Sequence, residues 1–326
     1  MSMMQAAAVK PLLRGDFPIP HQINYSLAAL HLCLNVFQLF ILPLCLLPRT
    51  AWWGVSIIPI AAMNNPFWAL IHEAIHDLLS HDPRVNVTLG RALGIFFGSP
   101  FQVLRLTHLS HHKFNRSPLE KGTEIYNPRE VSRLAAAIKY FFYILCGLYL
   151  LEVSSTLLFF LPQNIFARMR RRVSANGNTQ EKWLANKLGD PKRLREIRMD
   201  GIAIGLVFGL SALCYREYWL LLVGLLMART FFISLMDNVY HYGTPLNVTI
   251  SGHNLSVPRI VSTLILHFNL HRVHHAHPQI PWKSLPEAFA WQSAKFDRGL
   301  WTAVFRQFYG PVPLPNTLAS AAGKRQ

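Results

Sequence analysis

"IHEAIHD", residues 71–77, carries H-E-x-x-H at the inner end of a long apolar run. The spacing sets two histidines on one face of a helix with a glutamate between them, as a zinc protease requires. It equally suits one part of a larger metal cage, or two helix histidines with no role. The choice decides the fold, because the run leading into it, residues 51–71, is long enough to cross a bilayer. A cage built there must draw its other ligands from elsewhere in the chain.

Working outward, residues 24–47 are free of charge and form a second apolar stretch of spanning length, separated from 51–71 only by a tight turn at Pro48 and Arg49. Two further stretches, 201–215 and 218–236, are interrupted only by Arg216 and Glu217 and predict a second hairpin. Residues 135–161 are apolar too. Were they to cross alone, the charged loops would be divided between the two sides, so they are expected to be re-entrant or to lie along the membrane as two half-helices. The alternative has 135–161 crossing and 201–236 forming one bent span. Residues 85–104, broken by glycines and Pro100, read as an interfacial piece. The chain is thus expected to be all-α and integral to the membrane, one embedded domain over 1–326 with about four spans in two hairpins.

Half of the 326 residues are apolar, and 32 Lys and Arg face 16 Asp and Glu, a formal charge of +16. Such a balance raises nucleic acid as a partner, but no nucleic-acid-binding signature accompanies it. The charges sit in loops beside apolar runs, as in "RMRRR" at 168–172, which is how the positive-inside bias acts. That bias places the loops, and with them the histidines, on the cytoplasmic side, the inner membrane if the protein is bacterial. Lys10 and Arg14 precede a first apolar run too long for a cleavable signal. Cys33, Cys45, Cys146 and Cys214 lie in or beside apolar segments and suggest neither a disulfide framework nor a CxxC metal site.

Histidine is where the sequence becomes specific. Eight of fifteen fall in three clusters: His72 and His76; His108, His111 and His112 in "HLSHH"; His271, His274 and His275 in "HRVHH". Spacings of three and four bring each cluster onto a helix face. Asp237 and His241 in "DNVYHYG" follow the last span directly. All four elements emerge on one side and can converge, and neutral imidazoles aimed at one volume suit iron, zinc, copper or nickel without naming one. His21, His31, His81 and His253 read as lone interfacial histidines. A zinc protease would use Glu73 as its base but leave most of the remaining histidines idle. A metal transporter or sensor should carry ligands in mid-span, whereas these lie at span ends or in loops.

The order H-x3-H, then H-x2-H-H about thirty residues on, then a distant H-x2-H-H resembles the integral-membrane fatty acid desaturase and hydroxylase superfamily. "RLTHLSHHKFNR" and "NLHRVHHAHP" are similar to the surroundings of the family's second and third boxes, and "HYG" at 241–243 resembles an extra-histidine motif of stearoyl desaturases and alkane hydroxylases. The family pattern has asparagine four residues before that histidine, where this chain has Asp237. The resemblance implies two iron ions held by His72, His76, His108, His111, His112, His271, His274 and His275, with His241 as ninth ligand and dioxygen as co-substrate. A ligand imidazole needs its other N–H oriented by a further partner, and Asp237, His267 and Asn269 are the candidates.

The implied substrate is a fatty acyl chain, attacked at an unactivated C–H bond by desaturation. Hydroxylation, and oxidative decarboxylation of a free medium-chain acid to a terminal alkene, stay open. "RSPLEKGTEIYNP" resembles the bacterial alkene-forming branch, in which Arg105 or Lys113 would hold the carboxylate close to the metal. No cytochrome b5 "HPGG" motif is present, so electrons are expected from a separate ferredoxin, rubredoxin or cytochrome b5, docked on basic loops that include Lys113, Arg116 and 168–172.

Overall fold

The first long helix, α1 (His21–Leu46), buries its polar residues and exposes its apolar ones. Asn24, His31, Asn35 and Gln38 face inward, while Ile23, Leu30, Ile41 and Leu44 face out. That inversion is stable only where the surroundings are hydrocarbon. The computed structural model describes residues 17–314; Lys10 and Arg14 lie outside them. Pro43 sits in a π-helical stretch, Phe37–Leu46, where Leu47 N–H donates to the Leu42 carbonyl five residues back. The wider register accommodates a residue that has no N–H of its own.

After a turn, a 3₁₀ stretch (Ala51–Ser56) leads into α2 (Ile57–Ala62) and α3 (Asn64–Ile75), bent by 44° relative to each other. The first hairpin is therefore present, with a kink in its returning arm. Asp82 caps α4 (Pro83–Phe97), accepting from Arg84 N–H at 2.7 Å. Gly98, at φ +101°, ends α4 in the left-handed conformation that glycine adopts freely, and α5 (Phe101–Phe114) leaves at 97°. The piece expected to lie at the interface is thus a sharply turned helix pair, with Phe97 and Phe101 fully buried at the turn.

Residues 135–161 do not split into half-helices. Residues 135–158 belong to one continuous helix, α6 (Arg133–Leu158), long and apolar enough to cross a membrane and π-helical over Tyr143–Gly147, and 159–161 form the turn after it. Near its start Tyr140 packs with Tyr242, while just past its end Phe159 packs with Val103 and Ile197. The basic segment folds as α7 (Gln163–Asn176) and α8 (Thr179–Leu188), the latter opened by an Asn178–Glu181 capping box. The second hairpin is α9 (Pro191–Tyr215) and α10 (Trp219–Val239), joined at Arg216, whose φ is +44°. On the outgoing arm Ser211 Oγ and Tyr215 OH donate to the Leu39 and Gln38 carbonyls at 3.0 and 2.6 Å. Four short helices complete the cap: α11 (Arg259–Leu264), α12 (His271–Ala276), α13 (Leu285–Trp291) and α14 (Leu300–Gln307). Two parallel strand pairs tie this cap together, β1 (Ile125–Tyr126) with β4 (Val312–Pro313) and β2 (Leu255–Ser256) with β3 (Arg298–Gly299).

Arg229, on the returning arm, is 1% exposed and has no acidic partner among the ion pairs of the described residues. Its guanidinium donates to Asn35 Oδ1 at 2.7 Å, Asn64 Oδ1 at 2.9 Å and the Phe96 carbonyl at 2.6 Å, and it lies over the Phe67 ring. One side chain thus joins α1, α3, α4 and α10, satisfying a carbonyl that the C-terminus of α4 would leave bare in an apolar layer. These helices carry or precede the histidines, so the clamp fixes where the histidine-bearing ends arrive.

Candidate metal centre

All nine histidines singled out from the sequence converge. They form two groups in which each ring offers a nitrogen within 4.8 Å of every other: His72, His76, His108, His112 and His274 in one, His111, His241, His271 and His275 in the other. The groups adjoin, since the rings of His112 and His275 stack at 4.3 Å. Each H-x2-H-H cluster is divided between them. His108 and His112, one turn apart on α5, serve the first group and His111 the second; His271 and His275 serve the second and His274 the first. At about 100° per residue, positions i and i+4 point within about 40° of each other, while i+3 points about 100° away from i+4. One short helix therefore supplies both groups.

Nε2 atoms face each other at 3.1 Å for His76 and His108, 2.9 Å for His108 and His112, and 3.0 Å for His112 and His274. In the second group the separations are 3.1 Å (His111 and His241), 3.0 Å (His241 and His271) and 3.1 Å (His271 and His275). With metal–nitrogen bonds of about 2.1 Å, ligands at right angles lie about 3.0 Å apart and tetrahedral ones about 3.4 Å. The spacing matches right-angled coordination. His72 Nε2 is buried without a hydrogen-bond partner, a costly arrangement for a nitrogen that nothing coordinates. The residues present therefore fit a metal in each group. Burial and Arg105 lower the His76 pKa to about 3, and burial together with neighbouring imidazoles holds His241, His271, His274 and His275 well below the ordinary histidine value. These rings are neutral at pH 7, the form that binds metal.

Outside the rings, Glu120 Oε1 lies 2.5 Å from His111 Nδ1, and its other oxygen accepts from Gln180 Nε2 at 2.9 Å. With the proton of His111 held on Nδ1, its Nε2 lone pair faces the group. Glu120 was not among the residues singled out from the sequence; the cue was its place just beyond the second box, on a chain that must return toward α5. His241 is fixed from behind. Arg116 and Glu124 form an ion pair at 2.7 Å, both essentially unexposed, and Arg116 also donates to the His241 carbonyl and to Thr244 Oγ1. Gly122, at φ +102°, lets this pair close, since a Cβ there would strike both side chains.

The other residues singled out from the sequence belong to neither group. Ser262 Oγ lies 2.7 Å from both His267 Nδ1 and Asn269 Oδ1, and Asn269 Nδ2 donates to the Leu255 carbonyl, so their hydrogen bonds brace the segment entering α12. Asp237 opens onto an 830 Å³ cavity that reaches His111 and His241. Its neighbour Asn238 links Thr123, Tyr140 and Gln307. Arg105 is paired with Asp77 at 2.6 Å, and Lys113 lies over the rings of Phe114 and Trp183. His31, stacked on Phe67, and His253, bonded to the Tyr242 carbonyl, are buried rather than open to water or headgroups, and neither joins a group. Glu73 is buried and accepts the Trp282 backbone N–H at 3.1 Å, and nine converging histidines far exceed the three protein ligands a zinc protease would use.

Helices long and apolar enough to cross a membrane, with two adjoining histidine groups, define an all-α membrane protein whose histidine clusters are consistent with metal binding. The chain belongs to the fatty acid desaturase family: the family model described as "Fatty acid desaturase" matches residues 23–306. No curated protein matches it.

Proposed function

We propose that the protein is an oxygen-dependent di-iron oxidase that attacks an unactivated C–H bond of a fatty acyl chain, most directly as a desaturase. The observation that carries this reading is the division of nine imidazoles into adjoining groups of five and four within a desaturase-family membrane fold. Bound iron would supply the dioxygen activation that acid–base side chains cannot provide. His72, His76, His108, His112 and His274 hold one ion, and His111, His241, His271 and His275 the other.

The chain's own residues do the rest. Glu120 keeps the His111 proton on Nδ1, and the Arg116–Glu124 pair fixes His241. The cavity beside His111 and His241, walled in part by Val131, Leu148 and Leu151, takes the acyl chain and excludes water from the reacting carbon. Lys121 and Lys139 also line it and offer cations for a free carboxylate, a role Arg105 is less free to play while paired with Asp77. Two electrons per turnover come from a separate ferredoxin, rubredoxin or cytochrome b5, and the site faces the cytoplasm.

The test supplies purified, iron-loaded protein with a reductase system, dioxygen, and free acids and acyl thioesters of several lengths, and identifies the products by mass. Loss of two hydrogens with the chain intact, only when dioxygen is present, is the expected result. An alcohol assigns hydroxylation, and an alkene one carbon shorter assigns decarboxylation. Turnover independent of dioxygen overturns the oxidase.

A further inference from the structure

Beside the basic segment lies a second cavity, about 360 Å³, between α7 and the first turns of α9. Arg170, Arg195 and Arg198 line it and no acidic side chain does. None of the three takes part in an ion pair among the described residues. Arg198 Nε is anchored on the Phe159 carbonyl at 2.9 Å, leaving its terminal nitrogens to the cavity. The Arg170 guanidinium lies against the backbone at Gly189, in space that a Cβ would fill. Three cations gathered around a hollow repel one another unless an anion occupies it. Their planar forks match the oxygens of a phosphate.

What the cavity adjoins indicates where that phosphate comes from. Met199 and Ile202 line its edge, and with Leu206 they form an apolar face on successive turns of α9, exposed by 51, 56 and 61%. The arginines stand where this face begins, and cations at the start of an apolar face are suited to anionic lipid headgroups. Ordinary interfacial arginines point separately into the headgroup layer; these three share one hollow.

We propose that this cavity binds the phosphate of an anionic glycerophospholipid, whose acyl chains run down the Met199, Ile202 and Leu206 face. The proposal does not depend on the reaction at the histidines.

Mass spectrometry of the intact protein–lipid complex tests it, with phosphatidylglycerol offered against excess phosphatidylcholine. The full chain should retain one phosphatidylglycerol. Arg170→Gln combined with Arg195→Gln should lower retention about tenfold or more, the loss expected for two charge-assisted hydrogen bonds. Arg168→Gln combined with Arg171→Gln removes the same charge from exposed side chains outside the cavity and should leave retention unchanged. Equal loss in both double variants, or equal retention of phosphatidylcholine, overturns the site. Inorganic phosphate is the competing arm: displacement of the lipid by millimolar phosphate assigns the cavity to a soluble phosphate and overturns the lipid. Should the first double variant fail to fold, Arg195→Gln alone, on an exposed side chain, must show reduced retention.

Discussion

Glu120 Oε1 stands 2.5 Å from Nδ1 of His111, the α5 histidine that faces the four-membered group. Partners of this kind commonly alter metal affinity or activity by 10–100-fold when removed. Glu120→Ala should therefore weaken metal retention in the second group by about that factor, and Glu120→Gln, which can still accept the N–H, by less. Cobalt substitution followed by chelator challenge reads this from the visible spectrum, without turnover. Equal retention in Glu120→Ala and the unmodified protein would show that the carboxylate does not hold the ring.

The division of each H-x2-H-H cluster makes a sharper claim. His108→Ala and His111→Ala, three residues apart on one helix, should deplete different ions. Each variant should fall from about two metals per chain toward one, measured by elemental analysis, and their cobalt spectra should differ. Identical spectra would mean that the two groups do not act as separate sites.

Glu124→Ala leaves Arg116 charged, buried and unpaired, which costs about 3–5 kcal/mol. The thermal midpoint should fall and the loop carrying His241 should loosen, whereas Glu124→Gln keeps an acceptor and recovers part of the loss. Differential scanning in detergent, with and without metal, checks both. A midpoint unchanged by Glu124→Ala would remove the pair from any role in holding His241.

Metal-free protein should lose stability as pH falls. Burial holds the folded-state pKa values of His241, His271, His274 and His275 below the unfolded value of about 6.5 and takes that of His76 to about 3. Between those limits the unfolded chain binds more protons than the folded one, so stability drops as pH descends below about 6.5 and is level above it. Thermal midpoints of metal-free protein from pH 8 to pH 5 should trace that shape. A flat curve would mean that the rings are not buried neutral.

Much of this was legible in the sequence for identifiable reasons. Charge-free runs of spanning length announce α1 and the α9–α10 hairpin, because the bilayer leaves few alternatives. Eight of the nine histidines could be named because their clusters are dense and their spacing is helical, and His241 through the resemblance of "HYG" to a family motif. What escaped depends on contacts between distant segments. Glu120 acts through a return of the chain toward α5, and the Arg116–Glu124 pair through the loop at Thr244, neither of which periodicity encodes. The turn at Gly98 was hidden because glycines and a proline in an apolar run signal a break without its angle. His31 and His253 looked interfacial because a lone histidine carries no mark of the ring or carbonyl it will meet.

Arg229 has a last implication for how the spans find their places. Once every helix is in lipid, burying one apolar surface against another gains little over contact with acyl tails. The guanidinium works differently, because its bonds to Asn35, Asn64 and Phe96 have direction and a fixed length. Sliding α10 by a single residue along its neighbours would break all three together. Assembly of this bundle is therefore indexed like a key to its wards, and the histidine ends inherit their alignment from a contact made deep within the hydrocarbon layer.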